Sequence, residues 1–124
     1  MYIYLMVFKN NFSFNDRLSK SNELIMKYPD RIPIICEQSA TSTDSYLLLD
    51  KNKYLVPHNF TLGQFLCIIR KRLKLSPEKT IFLFIEEIFY SSNQLLSNIY
   101  DTNKDKDGFL YITYAFENTF GNNV

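Results

Sequence analysis

A chain of 124 residues, 46% apolar and 16% aromatic with only 3 Gly and 4 Pro, has room for one domain with a packed core, which excludes global disorder and a second domain of ordinary size. Its 14 basic and 13 acidic side chains leave a net charge of +1, which removes any bulk attraction to nucleic acid or an anionic membrane. The charge is uneven, however: residues 1–79 carry 12 basic and 7 acidic side chains and residues 80–124 carry 2 and 6, so a local basic face is expected on the first part.

Met1 to Phe8 (MYIYLMVF) is apolar enough for a signal-peptide core, but no Lys or Arg precedes it and no small-residue cleavage pattern follows. Residues 1–13 are therefore read as an apolar N-terminal arm, left open between an extra strand, a disordered arm and a membrane contact. Phe14 to Lys27 sets Phe14, Leu18, Leu24 and Ile25 among polar residues and predicts an amphipathic helix that Pro29 ends. Arg31 to Glu37 (RIPIICE) reads as a buried strand in which Pro33 argues for an edge or strand-start position. Gln38 to Asp50 opens on a Ser/Thr-rich run and reads as loop, and Lys53 to Pro57 (KYLVP) is a second strand closed by proline.

Thr61 can cap the next segment, where Leu62, Phe65, Leu66, Ile69 and Leu73 fall on one helical stripe. Thr80 to Ile85 predicts a third strand, and Gln94 to Tyr100 a short helix with Leu95, Leu96 and Ile99 on one side. Lys104 to Gly108 (KDKDG) predicts a turn, and Phe109 to Phe116 a last strand with Tyr111 and Tyr114 on opposite faces. The order is α+β, one sheet packed against one main helix, and residues 117–124 (ENTFGNNV) form an accessible tail.

Little in this inventory points to catalysis. Cys36 and Cys67 lie 31 apart without a CxxC pattern and read as reduced, buried thiols; His58 has no partner of its kind; no metal or cofactor is expected. Asp105 and Asp107 lack the remaining ligands of a calcium loop and read as turn formers, and Glu86 and Glu87 read as strand neighbours pointing to opposite sides. No enzymatic activity is expected. More informative is Ile68, which widens the apolar arc of the Thr61 helix beside a basic run of Arg70, Lys71, Arg72 and Lys74. The short strand Lys53–Pro57 is apolar on both faces, which is what β-augmentation by a partner peptide requires.

Four long runs then match in order: Lys27 to Glu37 (KYPDRIPIICE), Asp50 to Pro57 (DKNKYLVP), Thr61 to Phe65 (TLGQF) with Ile69 to Arg72 (IRKR), and Gly108 to Ile112 (GFLYI) ending in Phe120-Gly121. Together they resemble the autophagy ubiquitin-like modifiers, autophagy-related protein eight with its GABA-receptor-associated and light-chain relatives, over roughly residues 14–121. The resemblance implies a ubiquitin-like β-grasp, a four-stranded mixed sheet packed on a central helix, with an N-terminal helical extension. It implies docking of receptors and adaptors that carry an aromatic-x-x-aliphatic motif, added as a strand to the second strand. By matching position, the aromatic pocket is Leu24, Pro33, Ile35, Lys53, Leu55 and Phe109. The aliphatic pocket is Tyr54, Val56, Pro57, Phe60, Phe65, Ile68 and Ile69, and Arg31 and Arg72 meet acidic residues of the motif.

It further implies that Gly121 is uncovered by a cysteine protease and carried by E1-like and E2-like enzymes to phosphatidylethanolamine. The protein would then be cytoplasmic when free and bound to autophagosome membranes when conjugated. An unconjugated peptide-binding scaffold acting in trafficking is the alternative. The chain departs from the family at Lys20, where relatives often carry an acid near the aromatic pocket, at Glu86-Glu87, at Phe89-Tyr90-Ser91, in the loop around Thr41 to Leu49, and at its N-terminus.

Overall fold

A computed structural model of the chain describes residues 7–39 and 48–116. Its elements run α1 (Val7–Asn11), α2 (Phe14–Lys27), β1 (Arg31–Gln38), β2 (Lys53–Pro57), α3 (Leu62–Leu73), β3 (Ile81–Ile85), β4 (Ile88–Phe89), α4 (Leu96–Asn103) and β5 (Leu110–Phe116). The strands form one mixed sheet in the order β2-β1-β5-β3-β4, with β1 and β5 parallel at the centre and every other pairing antiparallel. The expected β-grasp is present with five strands instead of four. The additional strand has two residues, too few to show periodicity.

Local chemistry sets the helix ends. The Ser13 hydroxyl accepts from the Asp16 amide at the start of α2, and at α3 Thr61 and Gln64 form a reciprocal capping box. Lys74 ends α3 in the left-handed region, its amide donating to the carbonyls of Arg70 and Lys71. Glu86 and Glu87 are the two turn residues between β3 and β4, both at positive φ (53° and 65°), and not strand neighbours. That turn matches strand twist and normally takes Asn or Gly.

Alternation along the strands separates two apolar layers. Ile32, Ile34 and Cys36 of β1, Tyr54 and Val56 of β2, and Leu110, Ile112, Tyr114 and Phe116 of β5 face α3 and α4, where they meet Leu62, Phe65, Ile69, Leu73, Leu96 and Ile99. On the opposite face, Ile35 and Phe109 pack with Phe8, Leu24 and Tyr111 under α1 and α2. Tyr111 and Tyr114 thus lie on opposite faces, as expected. Leu95 is exposed and only Leu96 and Ile99 of the expected α4 trio are buried, because the helix begins one residue later than the trio assumes. Cys67 is also exposed, unlike Cys36, since position 67 lies opposite the Phe65–Ile69 stripe.

Pro33 is buried in a strand that is central, not an edge. It is tolerated because pairing with β5 starts only at Ile34. At Pro33 the strand has β2 as its single neighbour, through Leu55, so the missing N–H removes no bond on the β5 side.

Candidate functional site

One edge of the sheet is β2, which pairs with β1 alone, and the other is the two-residue β4. Its register places Leu55 opposite Pro33 and Lys53 opposite Ile35. Period-2 alternation then puts Pro33, Ile35, Lys53 and Leu55 on the α2 face, where Leu24 from α2 and Phe109, the residue before β5, complete the expected aromatic-pocket set. Pro33, Ile35 and Phe109 are buried, while Leu24, Lys53 and Leu55 are half-buried and form the accessible part. The Lys53 ammonium lies 5.7 Å from the centroid of the Phe8 ring.

Tyr54 and Val56 alternate to the other face and join α3. Tyr54 meets Phe65 edge-on, with ring centroids 5.6 Å apart. Tyr54, Val56, Phe65 and Ile69 are all core residues and form a floor, whereas Pro57, Phe60 and Ile68 are half-buried and form a rim. Ile68 packs against the core as Phe60 does and stays half-buried, which accounts for the wide apolar arc of α3. Tyr54 and Val56 thus lie on the α3 side of β2 with Phe60, Phe65, Ile68 and Ile69, whereas Pro57, the last residue of the strand, falls by the same alternation on the side of Lys53 and Leu55.

The basic rim is smaller than the sequence implies. Arg31 is exposed, its guanidinium 5.8 Å from the Tyr28 ring centroid. Arg72 holds Asp50, with Nη2 at 3.1 Å and 3.3 Å from the two carboxylate oxygens. That pair is solvent-exposed and worth under about 1 kcal/mol, so an incoming carboxylate can compete for Arg72. Arg70 is not part of the rim: its guanidinium donates to the carbonyls of Lys79 at 2.7 Å and Ser76 at 2.9 Å, closing the loop after α3.

Several residues that hold this site together were not singled out by sequence reasoning. Phe8 covers Phe109, with ring centroids 5.2 Å apart, and its amide donates to Glu37 Oε2 at 2.9 Å. Burial raises the Glu37 carboxyl above the ordinary value, and the amide of Phe8 and the side chain of Asn52 pull it back only in part. Lys9 Nζ meets Asp105 Oδ1 at 2.8 Å. Arg17 Nε meets the fully buried Asp107 at 2.8 Å, while its Nη1 donates to the carbonyls of Lys9 and Phe12 behind α1. Burial first, and the Asp107 carboxylate second, push the Tyr111 phenol far above its ordinary value. Asp105 and Asp107 do form the expected turn, but they also anchor both N-terminal helices, a role that only an apolar start and an Arg among polar residues could have signalled.

Among the described residues no group of three or more His, Cys, Asp or Glu could hold a metal ion, and no helix is long and apolar enough to cross a membrane. Gly121 and the rest of the tail, residues 1–6, and residues 40–47 of the long loop lie outside the described residues.

Residues 16–121 match the family description "Autophagy protein Atg8 ubiquitin like". The chain is 55% identical over 114 residues to Autophagy-related protein 8 of Schizosaccharomyces pombe, covering 92% of this chain and 93% of that one. It is 53% identical over 114 residues to the protein of the same name from Mycosarcoma maydis, covering 92% and 95%. The crystal structure of Trypanosoma brucei ATG8 superposes with a TM-score of 0.85 at 38% identity, covering 92% of this chain and 97% of that one.

Proposed function

Because the chain belongs to the Atg8 family of ubiquitin-like autophagy proteins, we propose that it is a lipid-conjugated modifier that docks autophagy receptors and adaptors along β2. The observation that supports docking is the coincidence of an edge strand with half-buried apolar side chains on each of its faces, Leu24 and Leu55 on one and Phe60 and Ile68 on the other. In an extended peptide, residues i and i+3 point to opposite faces. An aromatic-x-x-aliphatic segment laid along β2 would therefore send its aromatic side chain towards Leu24, Lys53 and Leu55 and its aliphatic side chain towards Phe60 and Ile68. Backbone bonds would supply affinity and these apolar faces selectivity.

One short strand buries little area, so binding in the micromolar range, about −7 to −8 kcal/mol, is expected for a peptide with that core and acidic flanks. Leu55 is half-buried and outside both core clusters, so Leu55→Ala tests the pocket without unfolding the protein. It should weaken binding by about 1 kcal/mol, part of the transfer energy of a leucine side chain. Calorimetric titration that finds equal affinity for wild type and variant would remove Leu55 from the site.

Conjugation is proposed at Gly121, and what supports it is the family match, which runs to residue 121. A residue without Cβ passes a narrow channel to a catalytic thiolate, and its thioester is unhindered towards an amine. The family's cysteine protease would release Asn122-Asn123-Val124, and E1-like and E2-like enzymes would pass the Gly121 carboxyl to phosphatidylethanolamine. The free protein would be cytoplasmic and the conjugated form would sit on autophagosome membranes. Gly121→Ala is expected to block both steps while peptide binding stays intact. Intact mass after incubation with that protease is the check: a wild-type chain that keeps its last three residues, while a relative is trimmed in parallel, leaves only the docking scaffold.

A further inference from the structure

The rim of the aromatic pocket has an unusual composition. Lys20 stands one helical turn before Leu24 on α2, so the two share a face and the Lys20 stem leads towards the pocket that Leu24 walls. Lys53 approaches from β2, its ammonium over the Phe8 ring. The two charges feel each other: burial first and Lys20 second hold the Lys53 ammonium below its ordinary value.

No salt bridge engages either lysine among the described residues. The carboxylate on the same sheet face, Glu37, is occupied by the Phe8 amide and Asn52. Asp16 stands one turn before Lys20 and Glu23 three residues after it, both exposed, and neither forms a salt bridge with it. An ammonium has three donors and no acceptor. The two side chains that converge on this pocket, Lys20 and Lys53, therefore donate only.

Resting on the reading that this pocket receives the aromatic side chain of a docking peptide, we propose that Lys20 and Lys53 make it selective for a ring that brings its own hydrogen-bond acceptor, tyrosine, over tryptophan. A phenol oxygen entering between the two ammoniums accepts from either. An indole N–H can only donate, so it faces two cations unpaired or turns out to solvent at the expense of its packing. Phenylalanine, with neither donor nor acceptor, falls between them in polar terms and isolates the contribution of the phenol oxygen. Of the two lysines, Lys20 is the one to vary, because it is exposed and replaceable without touching the sheet.

The test uses the full chain and three synthetic peptides with acidic flanks and an aliphatic residue at the fourth position, identical except for Tyr, Phe or Trp at the first. Calorimetric titration should rank Tyr above Phe on the wild type. Lys20→Glu supplies an acceptor in place of a donor, and the Tyr-to-Trp affinity ratio should fall about tenfold, the combined worth of one hydrogen bond lost and one gained. Lys20→Ala should move the ratio by a smaller amount in the same direction, and thermal melts of both variants should match wild type. A ratio unchanged by Lys20→Glu, with all three peptides bound, overturns the selectivity and leaves the docking site standing. Failure of every peptide to bind the wild type removes the docking reading and the selectivity together.

Discussion

Asp107→Ala is expected to cost about 3–5 kcal/mol of stability, read as a shift of the denaturant midpoint at constant slope. Asp107 is completely buried and serves three partners: the Arg17 guanidinium, the Tyr111 hydroxyl and the Phe109 amide. Its backbone carbonyl also accepts from the Ser21 hydroxyl. Removal of the carboxylate leaves Arg17, whose side chain is 11% exposed, as an almost buried charge without its counter-ion. The remaining guanidinium bonds, to the carbonyls of Lys9 and Phe12, orient Arg17 but do not neutralise it. Asp107→Asn keeps an acceptor for the Phe109 amide and should cost clearly less. A loss below about 1 kcal/mol for Asp107→Ala would show that water or a local rearrangement satisfies Arg17, and that the pair is not what anchors the N-terminal helices.

Such an anchor illustrates what could and could not be read from the chain. Signals that act within a few residues were legible: Pro29 stopping α2, Thr61 capping α3, and the stripe from Leu62 to Leu73 each predicted an observed boundary or buried face. Contacts between distant residues were not. Arg17 and Asp107 are 90 positions apart, and nothing in either neighbourhood marks them as partners. Pro33 misled for the same reason, since the start of the β5 ladder, not the strand's own sequence, decides whether a proline fits. The basic run after Leu66 read as one face, yet Arg70 is drawn into loop carbonyls and Arg72 to Asp50. For the candidate site, the residues themselves predicted an apolar edge strand and a wide arc at Ile68. The grouping of the two pockets came from family resemblance; the β1–β2 register sorts Pro33, Ile35, Lys53 and Leu55 to one side and Tyr54 and Val56 to the other, but sorts Pro57 with the first set.

Phe109→Ala should cost about 3–5 kcal/mol, which makes Phe109 a structural residue as well as a proposed pocket wall. The ring is fully buried, with Phe8 set against it edge-on and Tyr111 at a centroid separation of 6.4 Å. Together with Ile35 and Leu24 these residues form an apolar cluster between the sheet and the N-terminal helices. Truncation therefore opens a cavity under α1, a helix of five residues whose buried residue is Phe8. Collapse of α1 into the space would bring the loss towards the lower end of the range; an α1 that stays in place would bring it towards the upper. Either way the pocket changes shape, so weaker peptide binding by Phe109→Ala reports lost stability and a lost wall at once, unlike Leu55→Ala. Phe109→Leu keeps most of the volume and should retain more than half of the lost stability. Denaturation midpoints of the two variants, with amide exchange at Phe8 and Lys9 as a reporter of α1 opening, distinguish these outcomes. A Phe109→Ala protein as stable as wild type would mean that α1 and α2 contribute nothing to the fold through this layer.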